Sequence, residues 1–120
     1  MKLRIKGNTV RIRLEQKELD QLLRTGEVSE STDFPQTSLT YRLLSSKEQS
    51  VSLTNNVIAI SLPNSFIDEW VNTDKTGFSL EIPTNSNTVL NLTVEKDFKC
   101  LTERPAEDES DMFPNPRKSH

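Results

Sequence analysis

Two stretches of the sequence, one in each half of the chain, show the same change in hydrophobic periodicity. Residues 8–23 read NTVRIRLEQKELDQLL and residues 56–71 read NVIAISLPNSFIDEWV. Each begins with alternating apolar residues and continues with apolar residues three and four apart. A period of two is typical of a strand with one buried face, and the wider spacing is typical of an amphipathic helix. Each stretch therefore predicts a strand that leads directly into a short helix.

The residues around the first stretch complete a β-β-α-β-β order. KLRIK alternates apolar and basic side chains, and the Gly7–Asn8 dipeptide after it suits a tight hairpin turn, because Gly accepts a positive φ without strain. Gly26 stands where the C-cap of the helix is expected. Two further strands are predicted at residues 27 to 32 and 38 to 45.

The second half repeats this order. A short strand is predicted at residues 51 to 53, Asn55 and Asn56 suit a second hairpin turn, and a helix begins near residue 63. The helix is predicted to end at Thr76 and Gly77, and two strands are predicted to follow.

This doubling predicts the fold class. We expect an α+β fold in which a tandem ββαββ pseudo-repeat, with units at about residues 1–46 and 50–98, forms one small barrel or sandwich with two short helices. Pairing two such units would hide exposed sheet edges. The alternative is that any strand followed by an amphipathic helix produces a similar match.

Hydrophobic residues make up 32% of the 120, so the core must be small. We predict one globular domain at residues 1–98, followed by a locally acidic, Pro-containing tail at residues 99–120. The side chains expected in or near the core are Ile12, Leu22, Leu23, Tyr41, Ile60, Phe66, Ile67, Trp70 and Phe78.

Composition narrows the function classes. The net charge of −3 gives no general argument for binding nucleic acid. No apolar run is long enough to cross a bilayer, and no leader pattern opens the chain. These two observations predict a cytoplasmic protein without membrane contact. His120 is the one histidine, which excludes a histidine-based triad or a two-histidine metal site within the chain, and glycine-rich phosphate loops are absent. We therefore predict no cofactor and no metal, and favour a protein that is not an enzyme.

The basic residues of the first hairpin form the candidate binding site. In the predicted hairpin, Arg4, Lys6, Arg11 and Arg13 share one face, to which Lys2 also belongs. Like charges placed opposite one another predict an anionic partner. The alternative is an ordinary polar face that is neutralised by acids of an adjacent strand, such as Glu27 and Glu30.

Two features lie near the C-terminus. Cys100, beside Lys99 and Arg104, is a candidate reactive thiol, and the alternative is a small packing residue. The run EDESD at residues 107–111 is either a solvated acidic tail or a segment that docks on the basic hairpin of its own chain. Its carboxylates also suit Ca²⁺ or Mg²⁺, but the spacing of a calcium-binding loop is missing.

The whole chain resembles a family of small bacterial proteins of unknown function. The resemblance rests on MKLRIKGNTVRIRL at residues 1–14, EKDFKCL at residues 95–101 and the acidic stretch with FPNP at residues 107–116. It implies a cytoplasmic bacterial protein and brings no activity with it.

A second resemblance concerns topology. IAISLPNSFIDEWVNTDKTGFSLEI is similar to the swapped-hairpin domains of transition-state regulators and antitoxins, in which a strand that ends in Pro leads into a short helix and then a strand pair. Those domains contact DNA through arginines near the first hairpin, which implies that role for Lys6, Arg11 and Arg13. The equivalent residues of the second unit, Thr54, Ala59 and Ser61, are uncharged, and the final hairpin lacks the family's glycine.

The sequence therefore leaves the function unknown and supports two hypotheses. The first is a non-enzymatic binding or regulatory module whose basic hairpin meets an anionic protein or nucleic acid. The second is a small-molecule binding protein or enzyme that uses a cleft between the two units, with Cys100 or the tail at its edge. A basic surface without a deep pocket favours the first, and a cavity with convergent polar groups favours the second. Oligomer formation is left open.

Overall fold

Eight strands and two helices follow one another in the computed structural model, which describes residues 1–98. The α+β class is confirmed, with two helices and two four-stranded sheets. In chain order the elements are β1 (Lys2–Lys6), β2 (Thr9–Leu14), α1 (Gln16–Thr25), β3 (Glu27–Asp33), β4 (Ser38–Ser46), β5 (Ser50–Thr54), β6 (Val57–Pro63), α2 (Asn64–Asn72), β7 (Gly77–Pro83) and β8 (Val89–Lys96).

Each sheet combines one hairpin from the first half of the chain with one from the second half. The first sheet has the order β1-β2-β8-β7, and the second sheet has the order β3-β4-β6-β5. Within each hairpin the strands are antiparallel, while the central pairs, β2 with β8 and β4 with β6, are parallel. The two halves of the chain are therefore interleaved through both sheets.

Turn residues set the hairpins and the end of α1. Gly7 has a φ of 55°, and Asn55 and Asn56 have φ values of 52° and 67°. Gly26, with a φ of 86°, donates its backbone N–H to the carbonyl of Leu22 at 2.8 Å and ends α1. These are the left-handed conformations that Gly and Asn adopt most readily.

The predicted closing of α2 at Gly77 is wrong, because the helix ends at Asn72 and Gly77 begins β7. A Cβ at Gly77 would lie 2.1 Å from the carbonyl oxygen of Val94, so a close approach of two strands requires glycine there.

One apolar core joins both sheets and both helices. Trp70, Leu22, Ile12 and Ile60 are fully buried, as predicted. Within residues 1–98, the buried apolar residues are Met1, Ile12, Leu14, Leu19, Leu22, Val28, Leu43, Ile58, Ile60, Leu62, Ile67, Trp70, Leu92 and Val94.

Three of the residues predicted in or near the core lie at its edge, and one lies outside it. Tyr41 and Phe78 are partly buried against the core, and Phe66 is partly buried with its ring 5.3 Å from that of Phe78. The prediction for Leu23 is wrong, since that side chain is 50% exposed. Leu22 already faces the core, and the next residue of a helix is turned by about 100° away from it.

No helix among residues 1–98 has the length and apolar character that crossing a membrane requires.

Candidate anion-binding face

The strand register of the first hairpin gathers five basic residues on one surface. Lys2 lies opposite Arg13, Arg4 lies opposite Arg11, and Lys6 lies opposite Thr9. Directly opposite residues of an antiparallel pair point to the same side of a sheet. We call Lys2, Arg4, Lys6, Arg11 and Arg13 the cationic face; it contains all four predicted binding residues.

Acids neutralise one end of the cationic face. Arg13 Nε donates to Glu95 Oε1 at 2.8 Å, and Arg11 Nε lies 3.6 Å from the same oxygen. Lys2 Nζ lies 2.9 Å from Asp97 Oδ2. Glu95 lies in β8 and Asp97 is the first residue after it. Both acids are therefore near the Lys2 and Arg13 end.

The other end, near the hairpin turn, keeps its positive charge. Within residues 1–98, no carboxylate oxygen lies within 4.0 Å of the charged nitrogens of Arg4 or Lys6. With Thr9 and Arg11, these two residues line a shallow depression of about 220 Å³. Four side chains that can donate hydrogen bonds thus converge on a space open to solvent.

The acids expected to neutralise this face act elsewhere. Glu27 and Glu30 belong to β3, which lies in the second sheet. Glu27 Oε2 lies 2.8 Å from Arg42 Nη2, and Glu30 Oε1 accepts a hydrogen bond from the Met1 ammonium at 2.6 Å. The alternative that Glu27 and Glu30 neutralise the basic hairpin is therefore wrong, and the acid of an adjacent strand that does so at one end is Glu95 of β8.

Most of the rest of this side of the first sheet is polar. Across β8 and β7, the same side carries Asn91, Thr93 and Glu95 and then Gly77, Ser79 and Glu81. Pro83 and Val89 continue this side at the end near the hairpin turn, where Val89 is 43% exposed. The other described side chains of the surface are polar, and none is aromatic.

Asn8 fixes the position of the hairpin turn. Its Nδ2 donates to Thr88 Oγ1 at 3.3 Å and to the carbonyl of Val89 at 3.2 Å. Its own carbonyl accepts the backbone N–H of Asn91 at 2.9 Å. The tip of the cationic face is therefore tied to the start of β8.

The sequence identified Asn8 only as a turn residue. The sequence signal for this second role is the asparagine at the equivalent position of the second half, Asn56. Its side chain donates to Thr37 Oγ1 at 3.0 Å, and its backbone carbonyl accepts the N–H of Thr40 at 3.0 Å.

A second polar cluster, which sequence reasoning missed, surrounds the Met1 ammonium. It is hydrogen-bonded to Glu18 and Glu30, and Tyr41 donates its hydroxyl to the Met1 carbonyl at 3.4 Å. Partial burial by itself lowers the pKa of the ammonium, but the bonds to Glu18 and Glu30 outweigh it and the pKa is raised. Burial likewise raises the pKa of Glu18, but the ammonium and the Glu15 N–H at 2.8 Å reverse the effect and the pKa is lowered.

Burial and the nearby carboxylates of Glu30 and Glu18 raise the pKa of Tyr41. These groups satisfy one another, so the cluster stabilises the packing of the N-terminus against α1 and β3.

Two other depressions border described residues. One, of about 700 Å³, opens beside the Met1 cluster between α1 and β3. The other, of about 390 Å³, is bordered by Leu14, Leu19, Val71, Phe98 and neighbouring polar residues, and lies where α1 and α2 approach the end of β8. Cys100 and the acidic run lie outside the described residues.

Residues 1–117 match the model of a family of unknown function, DUF7009. The chain belongs to this family. No curated protein and no solved structure matches the chain. Membership of an uncharacterised family was predicted and is confirmed, and the function is unknown, as expected. DUF7009 thus gives no activity that could be transferred to the cationic face.

Proposed function

We propose that this protein is a non-enzymatic binding module whose cationic face holds the phosphate backbone of duplex nucleic acid. One observation carries the proposal: Arg4 and Lys6 lie at an exposed hairpin tip with no acidic partner among residues 1–98. Guanidinium and ammonium groups are the usual protein ligands of phosphate oxygens.

The second hairpin is an internal comparison for the first. β5 and β6 pair with each other in the same register as β1 and β2, residue for residue. Lysine at an edge strand often prevents sheets from joining edge to edge. Because β5 is also an edge strand and carries no charge, edge protection alone does not account for the cationic face. The positions equivalent to Lys2, Arg4, Lys6, Arg11 and Arg13 hold Ser50, Ser52, Thr54, Ala59 and Ser61.

The same register supports the finer architecture. The chain is two ββαββ units, at about residues 1–46 and 50–98, that exchange hairpins about a pseudo-two-fold axis to make one small barrel or sandwich. They constitute a single domain at residues 1–98, which a tail at residues 99–120 follows. The parallel pairs β2 with β8 and β4 with β6, one from each half, support this arrangement. The single cysteine and the family resemblance favour a bacterial, cytoplasmic protein.

The composition of the surface favours nucleic acid over an acidic protein. Protein interfaces usually contain an apolar or aromatic centre, whereas interfaces with nucleic acid are polar and positively charged. The described side of the first sheet that carries the cationic face is mostly polar and holds five basic residues, as in an interface with nucleic acid. Single strands are recognised largely by stacking on aromatic rings, and the absence of such rings here favours a duplex.

The test is a titration of the full-length protein against labelled duplex DNA at about 50 mM and 200 mM salt. The variant Arg4→Gln/Lys6→Gln removes the two cations of the face that have no acidic partner among residues 1–98. The matched control, Arg24→Gln/Lys47→Gln, removes two exposed charges from other surfaces, so both proteins have the same net charge. Each lost phosphate contact should reduce the slope of log K against log salt by about 0.9, or about 1.8 for both.

Equal affinities for the two double variants would refute the proposal. Binding of poly-glutamate but not of DNA would replace nucleic acid with an acidic protein as the partner.

A second candidate function has one observation in its favour. The depression of about 390 Å³ lies between α1 of the first unit and α2 of the second, and its volume suits a small molecule. The titration separates this candidate, because a ligand bound there does not touch Arg4 or Lys6.

A further inference from the structure

The described part of the chain ends beside the cationic face. After β8, the backbone N–H of Asp97 donates to the carbonyl of Leu14, the last residue of β2, at 2.8 Å. The Asp97 carboxylate lies 2.9 Å from Lys2 Nζ. The chain therefore leaves the first sheet at the end of the cationic face formed by Lys2 and Arg13.

The sequence that follows carries a dense run of negative charge. Residues 107–111, EDESD, contain four acids in five positions, and we call them the acidic run. Nine residue steps separate Phe98 from Glu107 and reach at most about 30 Å. β1 extends about 14 Å from Lys2 to Lys6. The acidic run can therefore reach every cation of the face.

Other described cations are less suited to hold it. Lys75 lies 3.8 Å from Glu69, and Arg42 lies 2.8 Å from Glu27. On α1 the basic residues Lys17 and Arg24 stand on either side of two acids, Glu18 and Asp20. The cationic face is the largest cluster of basic residues within residues 1–98, and its tip is not neutralised there.

We propose that the acidic run of the same chain occupies the cationic face and competes there with phosphate. The contact is inferred from the opposite charges of the two segments and from the length of chain between Phe98 and Glu107. The competition with phosphate rests on the proposed function. A short connection gives an effective concentration on the order of millimolar. A contact with a dissociation constant of about 1 mM or lower is therefore at least half formed.

The contact is tested by paramagnetic relaxation in the full-length, ¹⁵N-labelled protein. A nitroxide is attached at Ser110→Cys, with Cys100→Ser so that a single thiol remains. Amide signals of Arg4, Lys6 and Arg11 should lose intensity, whereas those of Ser52 and Thr54 on the equivalent second hairpin should keep it.

The matched control carries the same label with the run neutralised by Glu107→Gln, Asp108→Asn, Glu109→Gln and Asp111→Asn. The loss of intensity should disappear in this control. In the DNA titration at low salt, the neutralised chain without the label should bind at least about twofold more tightly.

Equal intensity at both hairpins overturns the inference. So does a loss seen only when labelled and ¹⁵N chains are mixed, since that places the contact between two copies. Unchanged DNA affinity on neutralisation overturns the competition. None of these results decides the proposed function, which is judged separately by the Arg4→Gln/Lys6→Gln titration.

Discussion

Replacing Trp70 tests the packing of α2 against the first sheet. The side chain is fully buried, its Nε1 donates to the carbonyl of Thr76 at 2.8 Å, and its ring meets that of Phe78 edge-on with centroids 5.4 Å apart. Trp70→Ala removes the ring packing, the hydrogen bond and the aromatic contact together.

The size of the effect follows from these contacts. Truncating a buried tryptophan to alanine costs about 3 to 5 kcal/mol, and an edge-on aromatic pair contributes about 0.5 to 1.5 kcal/mol, part of which the first figure already contains. The Thr76 carbonyl keeps a second hydrogen bond, from the Lys96 N–H at 2.8 Å, so it is not left unpaired. We therefore expect a loss of about 4 kcal/mol in the free energy of unfolding.

The assay is urea unfolding followed by far-ultraviolet circular dichroism, because Trp70 is the one tryptophan of the chain and its variants lose tryptophan fluorescence. Trp70→Phe keeps a ring and loses the hydrogen bond, so its free energy of unfolding should fall by about 1 to 3 kcal/mol. This variant should remain folded even if Trp70→Ala does not fold. Phe34→Ala, at a residue that is 54% exposed, is the control and should change stability by about 0.5 kcal/mol or less. If Trp70→Ala lowers stability no more than this control, the packing described for α2 is refuted.

Two further predictions concern α1 and the Met1 cluster. Leu22→Ala should lower the free energy of unfolding by about 2 to 5 kcal/mol, and Leu23→Ala by less than about 1 kcal/mol; equal losses in chemical denaturation would contradict the orientation of α1. Because the pKa of Glu18 is lowered, its contribution to stability is present above the ordinary carboxylate pKa and is lost as pH falls through the folded-state pKa. The pKa of the Met1 ammonium is raised, so its contribution is present below pH 8.0 and is lost as pH rises through the folded-state value. Glu18→Gln should flatten both limbs of the stability profile measured by denaturation across pH, and a profile of unchanged shape would show that this cluster does not stabilise the fold.

Local elements were predictable because neighbouring residues encode them. Alternation in β1 and β2 predicted a hairpin, and the register of that hairpin placed the basic residues on one face. Gly26 and the Asn55–Asn56 dipeptide marked a helix end and a turn through the left-handed backbone that they accept. The candidate binding residues were therefore found from spacing alone.

The environment of those residues was not predictable. The acids near the cationic face, Glu95 and Asp97, lie at the far end of the described chain from Arg13 and Lys2. Sequence reasoning looked instead to Glu27 and Glu30, since consecutive hairpins usually pair. Leu23 was misjudged because apolar residues three and four apart mark a broad helix face, and only packing shows where its boundary falls.

The sequence by itself determined the order of strands and helices, the turns between them and the grouping of the basic residues, because each depends on side chains a few positions apart. Only the tertiary structure decided that β2 pairs with β8 and β4 with β6 in parallel. That choice depends on burying apolar faces from both halves of the chain at once, which no local window of residues contains. It also decided the chemistry of the cationic face, because β8 brings Glu95 and Asp97 to one end of the face and leaves Arg4 and Lys6 without an acidic partner among residues 1–98.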